Sequence, residues 1–159
     1  MATTIKSSTL RVKIQESIML DGSEQGTVTT KSISGINAVS KRLVTVTATE
    51  AVIATFSAAV ASAGHYTAAD VRYMRFTNKD DTNFITLTFR NQDNDEVAIK
   101  LDAGQSLIFN GDNGNGMTAV FNATQDADAA SDTAFGSLTN IQADANTGSC
   151  VLEVFIASV

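Results

Sequence analysis

Hydrophobic and polar residues alternate along the first part of the chain. In residues 10–15 (LRVKIQ) every second side chain is apolar, and two of the side chains between them are cationic. Because successive side chains of a β-strand point to opposite faces, this spacing predicts a strand with a charged outer face. The Asp21-Gly22 pair is typical of a turn, and residues 27–33 then resume a strand-like pattern. The sequence therefore predicts a hairpin over residues 9–34.

Short apolar segments separated by turn residues recur through the rest of the chain. Residues 49–63 are ambiguous, because Val52 and Phe56 fit one face of a helix as well as one face of a strand. We favour a strand over 51–57, followed by a turn or helical piece over 58–70. Further strands are predicted over residues 42–47, 71–77, 84–90, 97–101, 106–109, 117–122 and 150–157, and a long polar loop over 123–136.

Short strands at regular intervals, with turn signals between them, are typical of β-sandwiches and barrels. The chain has 159 residues, which suits one domain. It contains no internal repeat of 20–50 residues, which argues against solenoids and propellers. The sequence therefore predicts an N-terminal arm over residues 1–9 and a single all-β domain over residues 10–159, an antiparallel β-sandwich of jelly-roll type.

The predicted last strand is apolar on both faces. Cys150 and every second residue after it share one face, whereas Val151 and Phe155 lie on the other. An antiparallel sheet with one face in water normally alternates apolar and polar residues. The strand is therefore either central in the core, or its outer face is covered by another subunit. On the second interpretation, Val151 and Phe155 are interface residues.

Charge is distributed unevenly along the chain, which has a net charge of −6. The first 50 residues carry six Lys and Arg against four acids, residues 51–159 carry five against thirteen, and no cation follows Lys100. Nucleic-acid binding depends on clustered Lys and Arg, so a nucleic-acid partner is not expected. The basic end of one subunit could instead meet a neighbour's acidic surface, which makes Lys6, Arg11 and Lys13 candidate interface residues. The alternative is an ordinary solvated acidic surface.

The residue types that enzymes use for catalysis are scarce. His65 is the only histidine and Cys150 the only cysteine, and neither stands in a nucleophile motif. Asp80-Asp81 falls in a predicted turn, where aspartate is favoured for turn geometry. We therefore expect no catalytic site and no cofactor, a loop position for His65, and a Cys150 that acts as a small buried hydrophobe.

Loops rich in Asp and Asn suggest calcium binding as an alternative, because their side-chain oxygens are the ligands that calcium prefers. Asn91, Asp93 and Asp95 alternate as oxygen ligands would, but Glu96 stands where an EF-hand loop has its glycine. Residues 110–116 contain only one carboxylate. The remaining candidates lie in the predicted polar loop and are Asp126, Asp128 and Asp132. Because loops are commonly rich in Asp and Asn without binding metal, we expect no metal site.

The sequence carries no membrane signal. No segment approaches the ~18 consecutive apolar residues of a membrane-spanning helix. The N-terminal residues also lack the apolar stretch of a secretory signal peptide. We therefore expect neither a membrane partner nor classical export.

Three stretches together resemble a known class of proteins. They are residues 10–16 (LRVKIQE) with the Asp21-Gly22 turn, residues 73–78 (YMRFTN), and residues 97–107 (VAIKLDAGQSL). The chain resembles small virion structural proteins of marine tailed bacteriophages, of the kind that decorate or cement capsids. The resemblance implies a β-sandwich or jelly-roll subunit that forms homo-oligomers on a capsid shell. It also implies a location in the virion, after assembly in the host cytoplasm.

Two other functions remain open at this stage. A phage tail-tube or fibre subunit would also be a non-enzymatic virion protein that contacts copies of itself. A carbohydrate-binding β-sandwich module is the more remote alternative, since such modules usually stack sugars on exposed Trp and Tyr. Here Trp is absent, and Tyr66 and Tyr73 are the only tyrosines.

Overall fold

The computed structural model describes residues 5–58, 62–110 and 137–159. This part of the chain contains thirteen strands and no helix, so the all-β prediction is confirmed. None of its elements is a helix long and apolar enough to cross a membrane. The strands are β1 (Ser8–Gln15), β2 (Met19–Leu20), β3 (Ser23–Glu24), β4 (Val28–Ile36), β5 (Ala38–Thr47), β6 (Ala51–Ser57), β7 (His65–Thr67), β8 (Val71–Asn78), β9 (Ile85–Asn91), β10 (Glu96–Leu101), β11 (Ser106–Asn110), β12 (Leu138–Ala145) and β13 (Ser149–Ser158).

Two larger sheets form the body of the protein. A five-stranded sheet has the order β10-β9-β12-β6-β7, and a four-stranded sheet has the order β11-β8-β13-β5. All pairs are antiparallel except β6 with β7. Fully buried side chains from both sheets belong to one hydrophobic cluster, among them Leu87, Phe89 and Ile141 from the first sheet and Phe76, Leu152 and Val154 from the second. The two sheets therefore share one core.

Strand pairing in the body is nested. β5 pairs with β13, β6 with β12, β8 with β11, and β9 with β10. With β7 set aside, the first strand thus pairs with the last, the second with the last but one, and so on inwards. Each sheet contains two of these nested pairs. They are connected by pairing of β13 with β8 in the four-stranded sheet and of β12 with β9 in the five-stranded sheet. The outermost of the nested pairs, β5 with β13, joins strands more than 100 residues apart, whereas the innermost, β9 with β10, joins consecutive strands.

The strands predicted within the described residues are present, and the structure adds others. Residues 58–70, predicted as a turn or helical piece, include the short strand β7. No element was predicted over residues 138–145, where β12 lies between β9 and β6 at the centre of its sheet. Its apolar positions include Ala143 and Ala145, which are buried but carry a weaker hydrophobic signal than Val or Ile. The predicted strand at 117–122 and loop at 123–136 lie outside the described residues.

The predicted hairpin is confirmed as a separate two-stranded sheet of β1 and β4, with β2 and β3 at its far end. Its base is attached to the body through a second hydrophobic cluster. Ile33 and Ile36 of β4 are buried there with Tyr73 of β8 and Ala157 of β13. Leu10, Val12 and Phe155 are among the partly buried residues packed on the same cluster.

Candidate interaction surface

The structure brings three of the five predicted interface residues together. Arg11 and Lys13 lie on β1, and both line a cleft between the hairpin and the outer face of the four-stranded sheet. Phe155 lines the same cleft from β13. Val151 lies further along β13 and is 40% exposed, and Lys6 is exposed in the segment before β1. Participation of these five residues in contacts between subunits stays a prediction.

Phe155 is half-buried because the chain's own hairpin covers it. Its ring contacts the edge of the Tyr73 ring, and the Arg75 guanidinium carbon lies 6.0 Å from its centroid. Burial raises the pKa of Tyr73, which the Arg75 charge partly opposes. The outer face of β13 is therefore covered within the subunit at Phe155 and open at Val151.

A polar network occupies the middle of the four-stranded sheet's outer face. Glu153 of β13 forms ion pairs with Lys41 of β5, at 3.4 Å, and with Arg75 of β8. Arg75 also donates to the hydroxyl of Thr77, which lies 2.7 Å from the Ser106 hydroxyl. The hydrogen bond from Arg75 is the main cause that holds the pKa of Glu153 below its ordinary value. The network holds two cations and one carboxylate, so its net charge is +1, and apolar side chains are exposed around it.

The edge strand β5 carries the most exposed of these apolar side chains. Its outward positions include Val39, Lys41 and Leu43, which we call the β5 stripe. Val39 is 55% and Leu43 68% exposed, and the Lys41 side chain between them is also exposed. Exposed apolar side chains beside a sheet edge make the β5 stripe a candidate interaction surface.

The far end of the hairpin, residues 16–27, presents a second apolar surface, which we call the hairpin tip. Ile18, Met19 and Leu20 are consecutive, and they are 56%, 63% and 60% exposed. None of them belongs to either hydrophobic cluster of the described residues. The tip therefore holds three large apolar side chains in solvent, away from the core.

Glu24 holds the hairpin tip in a defined conformation. Its Oε1 accepts hydrogen bonds from the backbone N–H groups of Ile18, at 3.0 Å, and Gly26, at 2.7 Å. These bonds, that from Ile18 first, lower the pKa of the Glu24 carboxyl. A Cβ on Gly26 would lie 2.1 Å from the carbonyl oxygen of Glu16, so this position accepts no side chain without rearrangement. The apolar side chains are thus displayed on an ordered turn.

The two residues considered for catalysis, His65 and Cys150, lie in different environments. His65 is half-buried in β7, at an edge of the five-stranded sheet, rather than in a loop. Cys150 is fully buried in β13 and is a free thiol, as expected. Burial raises the pKa of that thiol, and the nearby Asp80 carboxylate raises it further. The thiol is therefore held in its protonated, unreactive form.

The residues considered for metal binding or acid–base work form hydrogen bonds that shape turns. Asn91 Oδ1 accepts the backbone N–H groups of Asp93 and Asp95, at 2.9 and 2.8 Å. Asp80 Oδ1 accepts those of Thr82 and Asn83, and these bonds lower the pKa of Asp80. Within the described ranges, no group of three or more His, Cys, Asp or Glu could hold a metal ion. Residues 111–116 and the loop with Asp126, Asp128 and Asp132 are not among them.

Sequence reasoning missed the role of Arg42. Its Nη2 donates to the carbonyl oxygen of Ile53 on β6, at 2.7 Å, and so links β5 of one sheet to β6 of the other. Its Nε is buried without a hydrogen-bond partner. The alternation of β5 contains the signal, because Arg42 occupies the same face as the buried Val46. An inward-pointing charge on an edge strand is a known protection against strand-to-strand aggregation.

The chain matches no protein-family model, no curated protein and no solved structure. What it does must therefore be inferred from its own surfaces.

Proposed function

We propose that this protein is a non-enzymatic structural subunit of a bacteriophage virion, where it decorates or cements the capsid shell. The observation that carries the proposal is the ordered hairpin tip, which displays Ile18, Met19 and Leu20 to solvent. Large exposed apolar groups on a folded element mark sites of protein–protein contact. A decoration protein needs such surfaces, since it acts by binding other virion proteins and copies of itself.

The proposed fold is a β-sandwich of jelly-roll type, and the nested pairing of strands supports it. A jelly roll has eight strands in two sheets joined by Greek-key connections. The strands β5, β6 and β8–β13 number eight, and without β7 they give the orders β5-β13-β8-β11 and β6-β12-β9-β10. Jelly rolls include viral capsid and lectin domains, so the fold is compatible with the proposed function without selecting it.

The positions of the two tyrosines favour a structural role over sugar binding. Sugar-binding modules present aromatic rings on an open surface. Tyr73 is buried beneath the hairpin, and Tyr66 is half-buried, with its hydroxyl donating to Ser40 Oγ at 3.0 Å. Neither ring lies fully exposed on an open surface, and the Tyr66 ring also packs beside Phe56, with centroids 6.0 Å apart.

Many copies on a shell would make a small contact surface sufficient. Each subunit needs only modest affinity, because linked subunits bind at several positions at once. The first contact raises the effective concentration for the next, so the overall binding strength exceeds that of one contact. In the polar network around Glu153 every charged group has an ion-pair partner, and the net charge of the network is +1. Apolar contacts around that network can then form without burying a free charge.

Immunogold electron microscopy of tailed particles from the source of the sequence tests this function. Antibodies against the purified chain should label capsids over their whole surface. Label on the tail would instead identify a tube or fibre subunit and overturn the decoration role. Particles without label would overturn the virion assignment.

A further inference from the structure

The hairpin tip and the β5 stripe have complementary surfaces, and they lie on different parts of the subunit. The tip is apolar and acidic. Residues 14–30 carry Glu16, Asp21 and Glu24 and contain no Lys or Arg. The β5 stripe is apolar and basic. Lys41 stands between Val39 and Leu43 and is 61% exposed, and it shares the Glu153 carboxylate with Arg75, so one positive charge is left over. Both surfaces are exposed in the isolated subunit.

The chain's own hairpin does not cover the β5 stripe. Along β1, residues 10–14 line the cleft together with Ile108 of the opposite edge strand, β11. The stripe stays open, with Leu43 68% exposed. The apolar residues of the tip also belong to neither hydrophobic cluster of their own subunit. Each of the two surfaces is therefore left to be covered by another molecule.

We propose that the hairpin tip of one copy docks on the β5 stripe of a second copy. Ile18, Met19 and Leu20 pack against Val39 and Leu43, and the carboxylates of the tip face Lys41. This names the partner in the assembly behind the proposed function, and it rests on that function only in taking the protein to be an assembling subunit.

A contact of this kind joins different surfaces of the two copies. Each subunit still has one free tip or one free stripe after a first contact, so further copies can add head to tail. Such an arrangement gives a ring when the rotation closes and a filament when it does not. A stable interface buries about 1,000 Å² or more, and closure or attachment to a shell adds contact area to that of the tip.

Sedimentation velocity and mass photometry of the purified full-length chain, over a wide range of concentration, test the proposal. The wild type should form oligomers. Leu20→Asp on the tip and Leu43→Asp on the stripe should each abolish them. Both side chains are exposed, so the melting temperature should stay at the wild-type value. Val52→Asp is the matched control, because Val52 is 55% exposed on β6 of the other sheet, and that variant should assemble normally.

A mixing experiment distinguishes this arrangement from other modes of self-association. Leu43→Asp copies keep an intact tip, and Leu20→Asp copies keep an intact stripe. Mixed together they should form a heterodimer that cannot grow, although each variant alone is a monomer. No heterodimer would overturn the head-to-tail contact, as would a tip-to-tip contact that only Leu20→Asp disrupts.

Charge exchange tests the pairing of the two surfaces more directly. Asp21→Lys and Lys41→Glu should each weaken assembly, and the double variant should recover it. Failure of that rescue, or a wild type that is monomeric at every concentration, would overturn the inference. Immunogold labelling of capsids would still stand in that case, and self-association without labelling would refute the capsid role alone.

Discussion

The ring of Phe155 meets the edge of the Tyr73 ring beneath the N-terminal hairpin, with centroids 5.9 Å apart and planes at 76°. The two residues come from neighbouring strands of the four-stranded sheet, β13 and β8. Leu10 and Val12 of the hairpin pack on the same cluster. This aromatic pair therefore forms much of the base on which the hairpin sits, and the hairpin in turn carries the apolar tip.

Replacing Phe155 with Ala should loosen the hairpin from the body. The variant loses the ring that contacts both Tyr73 and the hairpin, and we expect a destabilisation of about 2 kcal/mol, below the cost for a fully buried Phe. Urea denaturation measures the loss, and hydrogen exchange should show faster exchange in β1 and β4 than in β9. Val151→Ala on the exposed part of β13 is the control and should cost less than ~0.5 kcal/mol. Equal effects of the two variants would contradict this role for Phe155.

Arg42→Met should destabilise the edge where the two sheets meet. The hydrogen bond to the Ile53 carbonyl is lost, which costs about 1 kcal/mol. The edge strand also loses its inward charge, so light scattering on heating should rise at a lower temperature than in the wild type. Thr45→Met, at an outward position of the same strand, is the control. If both variants aggregate alike, the protection does not come from Arg42.

The hairpin tip should lose its order in acid. The pKa of Glu24 is lowered in the folded protein, so its carboxylate stabilises the tip above the unfolded pKa, which is about 4.3. That contribution is lost as the pH falls through the folded pKa. NMR signals of the Ile18 and Gly26 amides should therefore shift together below about pH 4.3. Glu24→Gln should remove this titration, and a transition that persists in that variant would assign it to another group.

The Cys150 thiol should react only when the protein unfolds. Its pKa is raised, chiefly by burial, so the thiolate that attacks disulfide reagents is disfavoured at neutral pH. With rising reagent concentration, the rate of reaction with a disulfide reagent should thus level off at the rate at which the core opens. Ser149→Cys in a Cys150→Ala background places the thiol at an exposed position and should react at once. Fast, reagent-dependent labelling of native Cys150 would contradict its placement in the core.

The strands were predicted correctly from the sequence wherever apolar and polar residues alternate strongly. In residues 10–15 and 97–101 the side-chain period of two is a local property of the chain, so it can be seen without knowing the neighbours. The strand over residues 138–145 was missed because small alanines and polar residues weaken that pattern. Its central place depends on β9 and β6, which flank it.

The sequence by itself determined the all-β class, the hairpin, the burial of Cys150 and the two apolar faces of the last strand. Only the tertiary structure decided which strands pair. β5 and β13 are hydrogen-bonded although they lie far apart in the chain, and such pairs depend on how the whole sheet assembles. It also decided that Phe155 lies under the chain's own hairpin while Leu43 stays exposed. Both side chains belong to strands with similar patterns, and they differ because burial depends on what the rest of the chain places above them.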